Sequence, residues 1–497
     1  MVQVFLYPGE VPLFLNARDS SFDAMKILLL NPPAGGGRKF IREGRCTQEQ
    51  GVWATLWPPL SLASIGAVLE NDHHQVSIID CPAQGITLQK IEQVVCDWAP
   101  AVVIWSTGTP SIEGDLELAS SVKKWRSGII TAVFGTHVTA LDKECMRSVP
   151  ELDVIVRNEP ELTVSELVGA LSKGEDIKAV KGITFRTAQE EIISNPARPF
   201  IDNLDSLPFP AWHLLEIDRY RLPLKGKPFL MISPLRGCPF HCSFCTCHTY
   251  YGNKLRTRTV ESVLAEIAYN QKRFAVNDYF FWAETFVVDK HYVSKLCSGL
   301  IERNMGISWT ANSRVDTVDA PLLALMARAG CWMISYGIES ASQKVLDEAG
   351  KGTTRQDALE AVRATRQAGI KSVGHFILGL PGETRTSIEE TIAFAQTLQL
   401  DLAQFYCAVP FPGSRLYDRA LKEGWITPTQ FSVYNQDSAL MNLPSLPPEV
   451  VSRYRTRAYK RFYANPVRIA RALTLVNWKD IKGLIASARA FWGWSRK

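Results

Sequence analysis

Three cysteines crowd into one short stretch of this chain. The segment Leu235–His248 reads LRGCPFHCSFCTCH and spaces Cys238, Cys242 and Cys245 as C-x3-C-x2-C. Three thiolates on one tight loop can hold three irons of a cubane cluster, which leaves the fourth iron without a protein ligand. A structural zinc site that takes Cys247 or His248 as fourth ligand is the other chemistry open to this segment, although zinc knuckles usually come as two C-x2-4-C pairs. The chain holds 11 cysteines in all. No export signal is read at its start, which argues against a disulfide framework. The seven scattered cysteines are read as small buried apolar residues.

The elements that must position this loop follow from the apolar pattern. Phe229–Pro234, just ahead of it, opens a series of strand candidates that continues with Asp278–Glu284, Ser308–Arg314, Trp332–Ile338, Lys371–Gly379 and Leu402–Pro410. Helical patterns such as Val260–Arg273 and Ala358–Ala368 separate them. Six strand–helix units predict a partial (β/α)6 barrel, with its chemistry at the C-terminal ends of the strands. Upstream, Lys26–Asn31, Gln75–Asp80, Ala101–Ser106, Ile130–Gly135 and Asp153–Arg157 alternate with helix-length segments. That pattern predicts a doubly wound, Rossmann-like α/β domain, closed by a hairpin at Gly182–Ser194. The expected organisation is an extension over 1–24, the α/β domain over 25–194, a Pro-rich linker over 195–228, the barrel over 229–426 and a helical, basic region over 427–497.

The pattern C-x3-C-x-F-C behind a strand resembles the radical S-adenosylmethionine (SAM) superfamily, over about Phe229 to Trp425. The resemblance implies a [4Fe–4S] cluster on Cys238, Cys242 and Cys245, with SAM chelating the open iron and Phe244 shielding the cluster edge. Glu284, in FWAETF after the second strand, matches the acid that binds the SAM amino group, although relatives more often carry two acids there. Arg314 in NSRVD, Glu339 in GIES, and Gly374, Gly379, Gly382 and Glu383 in GHFILGLPGET are implied to position SAM. PFPGS follows the sixth strand. Each short motif alone has a structural explanation, such as Thr384 capping a helix. Their order at successive strand ends, with the cysteines first, carries the resemblance.

The α/β domain ahead of such a barrel resembles the subgroup with a cobalamin-binding domain. The anaerobic Mg-protoporphyrin ester cyclase and the B12-dependent radical SAM C-methyltransferases belong to it. The matching pieces are Asn31, Pro32 and Pro33, then PPLSLA at 58–63, Gly135 and His137 in GTHVTAL, and RNEPELT at 157–163. Phe134 stands where relatives usually have a second glycine. The cobalt-ligating D-x-H-x-x-G signature is absent, and His137 is read as a pocket residue. Ile41–Trp57 is read as a lid or a surface loop. The implied activity is cobalamin-dependent C-methylation of an unactivated carbon. The alternatives are a non-methylating radical SAM cyclase, C–C bond-forming or dehydrating enzyme, and a zinc- or RNA-binding non-enzyme.

The net charge of +5 is unevenly placed: Ser452–Lys497 holds 12 Lys/Arg against one acid, Asp480. Ile481, Leu484, Ile485, Ala488, Phe491 and Trp492 keep helical spacing there, so the stretch reads either as an interfacial helix on an anionic membrane or as a packed helix with a solvated basic face. The expected location is the cytoplasm, with membrane association through this tail. The expected partners are a small-molecule or lipid substrate and a flavodoxin- or ferredoxin-type electron donor, without nucleic acid.

Overall fold

The computed structural model describes residues 24–43, 48–49, 56–222, 224–427, 430–465 and 468. The extension before residue 24, residues 44–47 and 50–55 of the expected lid, and the basic stripe within 466–494 lie outside the described residues, apart from Arg468.

Seven strands form the first sheet: β1 (Lys26–Asn31), β2 (Gln75–Asp80), β3 (Val102–Ser106), β4 (Ile130–Phe134), β5 (Val154–Val156), β6 (Ile183–Arg186) and β7 (Ile192–Ser194). Their order is 2-1-3-4-5-6-7. The first five are parallel, and the expected hairpin adds β6 and β7 antiparallel. The unbroken apolar runs reflect burial on both faces. Leu28 and Leu30 enter one core while Ile27 and Leu29, their neighbours on the same strand, enter the other. The strand order reverses between β1 and β3, which opens a crevice at their C-terminal ends.

The second sheet has six parallel strands in sequential order: β8 (Leu230–Ile232), β9 (Asp278–Phe281), β10 (Ser308–Arg314), β11 (Cys331–Glu339), β12 (Lys371–Leu378) and β13 (Leu402–Cys407). The first and last strands do not pair, so the barrel is partial. Alternate residues face opposite ways along each strand. On β12, Val373, His375 and Ile377 line the interior, whereas a Cβ on Gly374 would meet the Leu400 side chain at 2.6 Å.

The Pro-rich stretch has little regular structure beyond single turns, yet it is packed. Trp212 and Tyr220 are buried in the barrel's core. Helix does not begin at 427. Among the described residues of 427–447 the helical structure is one 3-10 turn, Phe431–Val433, and the described C-terminal helix is Pro448–Tyr463. Pro444, Pro447 and Pro448 explain the delay, because proline is tolerated only in a helix's first turn.

Candidate active site

The cysteine loop is held from several sides. Leu235 and Arg236 pair antiparallel with Thr257 and Arg256. Gly237 sits at φ 86°, and a Cβ there would meet the Lys254 carbonyl oxygen at 2.2 Å, so only glycine permits this approach. The Ser243 N–H donates to the Ala349 carbonyl at 2.8 Å, and the Leu416 N–H donates to the Ser243 carbonyl at 2.8 Å. These bonds fix the loop to elements after β11 and β13.

Cys238, Cys242 and Cys245 line one cavity of about 360 Å³ inside the barrel. The two candidates for a fourth zinc ligand are engaged elsewhere. The Cys247 thiol is directed to the Gly252 carbonyl at 3.9 Å, and the His248 ring nitrogen bonds the Cys238 carbonyl at 3.1 Å. Among the described residues no three His, Cys, Asp or Glu side chains are grouped to share one ion. On a cubane each thiolate binds a different iron. Three thiols facing a cavity, with both extra donors turned away, fit a [4Fe–4S] cluster with an open iron.

The implied SAM residues divide into two sets. Phe244, Glu284, Arg314 and Glu339 line the same cavity as the cysteines. Glu284 follows β9 and is buried. Arg314 ends β10, where its guanidinium stacks 3.7 Å from the Phe240 ring centroid and lies 3.9 Å from the Cys242 sulfur. Asp316 and the Lys351 carbonyl accept its remaining bonds at 2.7–2.9 Å. Glu339 ends β11 at φ 66° and pairs with Lys351 at 2.8 Å.

Gly374, Gly379, Gly382 and Glu383 are not among the cavity-lining residues. A Cβ on Gly379 would meet Val451 of the C-terminal helix at 2.9 Å, and one on Gly382 would meet Glu348 at 2.0 Å. Glu383 is fully buried and accepts from the Gly379 N–H, with its carboxyl pushed up to about 8 by burial. Geometrically this segment is a tight turn against neighbouring elements. Gly374 faces away because inward and outward residues alternate along the strand.

The α/β sheet's crevice is built around a buried polar network. Asn31 donates to Asp80 at 2.9 Å and accepts from Arg42 at 2.8 Å; Arg42 also bonds the Pro32 carbonyl at 2.8 Å and Asp115 at 2.7 Å. Asn31 and Pro32 thus anchor the loop after β1, with Pro33 half-buried beside them. Gly135, at φ 145°, lets the β3 and β4 loops touch: a Cβ would meet the Thr107 hydroxyl at 2.6 Å. Phe134 ends the strand with its ring in the core. His137 is buried with a ring nitrogen 3.3 Å from the Thr109 hydroxyl, its ring edge-on to Phe431 and its pKa pushed down to about 3 by burial. It is neutral at ordinary pH.

The stretch Ile41–Trp57, read as a lid or a surface loop, brings Glu43 and Trp57 to the barrel cavity from the N-terminal unit; four further lining residues escaped the sequence. Glu43 accepts from the Ser61 N–H at 2.9 Å and the Ser61 hydroxyl at 3.0 Å, and burial pushes its carboxyl up to about 8. Lys351, His375, Gln404 and Tyr406 also line the cavity. The inward register of His375 was the one available signal, visible in its alternation with Gly374.

The geometry defines a cluster-bearing barrel fed by an α/β cofactor sheet, and comparison with known proteins agrees. Residues 232–395 match the radical SAM superfamily and residues 51–168 match the B12 binding domain. An uncharacterized methyltransferase of Pyrococcus horikoshii is 33% identical over 442 residues, covering 89% of this chain and 93% of that protein. The anaerobic magnesium-protoporphyrin IX monomethyl ester cyclase of Rubrivivax gelatinosus is 28% identical, covering 82% of this chain and 74% of its own. Among solved structures, the radical SAM methyltransferase TsrM of Kitasatospora setae, with cobalamin and a [4Fe–4S] cluster bound, superposes with a TM-score of 0.70 at 15% identity over 90% of each chain. The chain belongs to the radical SAM superfamily, in the group that carries a B12-binding domain. It is an enzyme of that class, with a [4Fe–4S] cluster, SAM and cobalamin as its cofactors.

Proposed function

We propose that this chain transfers a methyl group from SAM, by way of cobalamin, to an unactivated carbon of a small-molecule substrate. The observation that carries the reading is the meeting of the two cofactor units: Glu43 and Trp57 of the N-terminal unit line the same cavity as the three cysteines. The Asn158 side chain donates to the Thr249 carbonyl at 2.7 Å across the same junction. When bound, the cluster supplies the electron that cleaves SAM to a 5′-deoxyadenosyl radical and cobalamin supplies the methyl group. The chain's own work is orientation and exclusion of water. Cys238, Cys242 and Cys245 hold the cluster, Glu284 and Glu339 take the polar end of SAM, and Trp57 and Trp282, with ring centroids 5.1 Å apart, pack together on the cavity wall. Pro239 and His241 expose the outer face of the cluster loop, where a flavodoxin- or ferredoxin-type donor would approach. The basic stretch within 466–494 supports attraction to an anionic membrane. No described helix is long and apolar enough to cross one.

Likeness to the ester cyclase supports a second reading, radical chemistry without methyl transfer. Anaerobically reconstituted protein, given a low-potential reductant, SAM with a deuterated methyl group and cell extract, separates the two. Retained cobalamin, 5′-deoxyadenosine and deuterated methyl in an extract component support methylation. Deoxyadenosine without label transfer moves the reading to the second. Folded protein with no cluster and no SAM cleavage sinks both.

A further inference from the structure

The cavity that the cysteines cap does not stop beneath them. Leu222 and Leu224, at the tip of the Pro-rich strap, line it too. That tip sits at the opposite end of the barrel. Lys225, next in sequence, bonds Asp278 at 2.9 Å and the Ser308 hydroxyl, and lies 4.5 Å from the Trp332 ring centroid. Asp278 and Ser308 are the first residues of β9 and β10, and Trp332 is the second of β11. The cavity therefore runs the length of the strands. Trp332 and Glu339 both line it, and seven residues of strand span roughly 23 Å at about 3.3 Å each.

Its chemistry changes with depth. Strand register sets Arg314, Gly337, His375 and Gln404 side by side. Tyr406 donates to Gln404, and its hydroxyl lies 3.2 Å from His375 Nδ1. One step deeper the row is Asn312, Ser335, Val373 and Leu402, two polar side chains facing two apolar ones. Below them Phe280, Met333, Phe229, Leu222 and Leu224 form a floor that is apolar apart from Thr310. A buried wall of this kind gains about 25 cal/mol for each Å² of apolar ligand surface it covers and penalises an unpaired polar group.

We infer that the barrel takes its substrate lengthwise: an elongated lipophilic molecule, hydrocarbon end down against the strap, with a hydroxyl or carbonyl read by the His375–Gln404–Tyr406 row. The target carbon then lies near that row, on the cysteine side, and the strap tip sets how long a chain enters. This inference rests on the enzyme reading above but not on methyl transfer itself.

Equilibrium dialysis of cluster-loaded, cobalamin-loaded protein against radiolabelled farnesol and, separately, sorbitol tests it. Farnesol retention with no sorbitol retention is expected. Val373→Phe and Leu402→Phe fill the lower half and are each expected to weaken farnesol retention at least tenfold, with SAM binding and cluster absorbance unchanged. The second variant stands in if the first does not fold. Equal retention of both probes, retention of neither, or farnesol binding indifferent to both variants overturns the inference. Farnesol retained by a protein that transfers no deuterated methyl leaves the inference standing and sinks the methyl-transfer reading. Label found only in a polar acceptor does the reverse.

Discussion

Arg236 and Glu161 form an ion pair at 2.6 Å with both side chains buried, joining the loop of the B12-binding unit to the residue two places ahead of Cys238. Glu159 extends the pair: it accepts from Arg236 at 3.2 Å and from Arg256 at 2.8 Å, and its carboxylate takes the Ile201 N–H at 2.8 Å. The cluster loop is thus fastened to the cofactor sheet through charge, and the RNEPE motif has a mechanical role.

Removing one member of such a network strands its partner. Glu161→Ala is expected to cost about 3–5 kcal/mol, the usual consequence of an uncompensated buried charge. The expected observations are a lower unfolding temperature and reduced iron and sulfide per chain after reconstitution. Unchanged cluster loading would show that the cysteine loop keeps its shape without this tie.

Cys242 and Cys247, five residues apart, are expected to behave oppositely. Cys242→Ala removes a cavity-facing thiol and should abolish both cluster absorbance and 5′-deoxyadenosine formation. Cys247→Ala removes a thiol turned toward Gly252 and should keep both within about twofold, since a buried cysteine acts as a small apolar residue. Iron and sulfide analysis with SAM-cleavage assays checks the pair. Loss of the cluster in Cys247→Ala would revive a four-ligand site.

The contrast also shows what the sequence could say. Local spacing revealed the three ligands, and unbroken apolar runs revealed most strands of both sheets to within a few residues. Which of two neighbours faces the cavity depends on register, and register is set across strands that lie far apart in sequence. The resemblance points to Gly374, whereas His375 beside it lines the cavity, and only register tells the two apart. Glu43 lies in Ile41–Trp57, which reads equally as a lid or a surface loop. Its contact with the barrel depends on how the two units meet, and no local pattern encodes that. The strap looked like a linker because proline signals irregular backbone, not whether that backbone is packed.

Gly135 gives a test of the cofactor crevice. At φ 145°, with the Thr107 hydroxyl 2.6 Å from any added Cβ, Gly135→Ala must shift the β3 or β4 loop. Strained positions of this kind cost about 1–3 kcal/mol. The variant is expected to unfold at lower temperature and to retain less cobalamin on desalting, with the cluster still loading. Full cobalamin retention would place the cofactor away from this loop.

Glu43 gives the pH test. Burial raises its carboxyl in the folded state to about 8, from 4.5 unfolded. Between those values the folded protein holds a proton that the unfolded chain has released, so stability falls as pH rises. The contribution is complete below about 4.5 and is lost progressively toward about 8. Glu383, also raised to about 8 by burial, acts in the same direction. Glu43→Gln keeps the size of the side chain and cannot ionise, so it is expected to flatten the decline. It should unfold at a temperature close to wild type near pH 5 and several degrees above it near pH 8. Thermal unfolding of both proteins across that range decides it. Parallel curves would mean that Glu43 stays ionised when folded, with Arg236 or another cation compensating its burial.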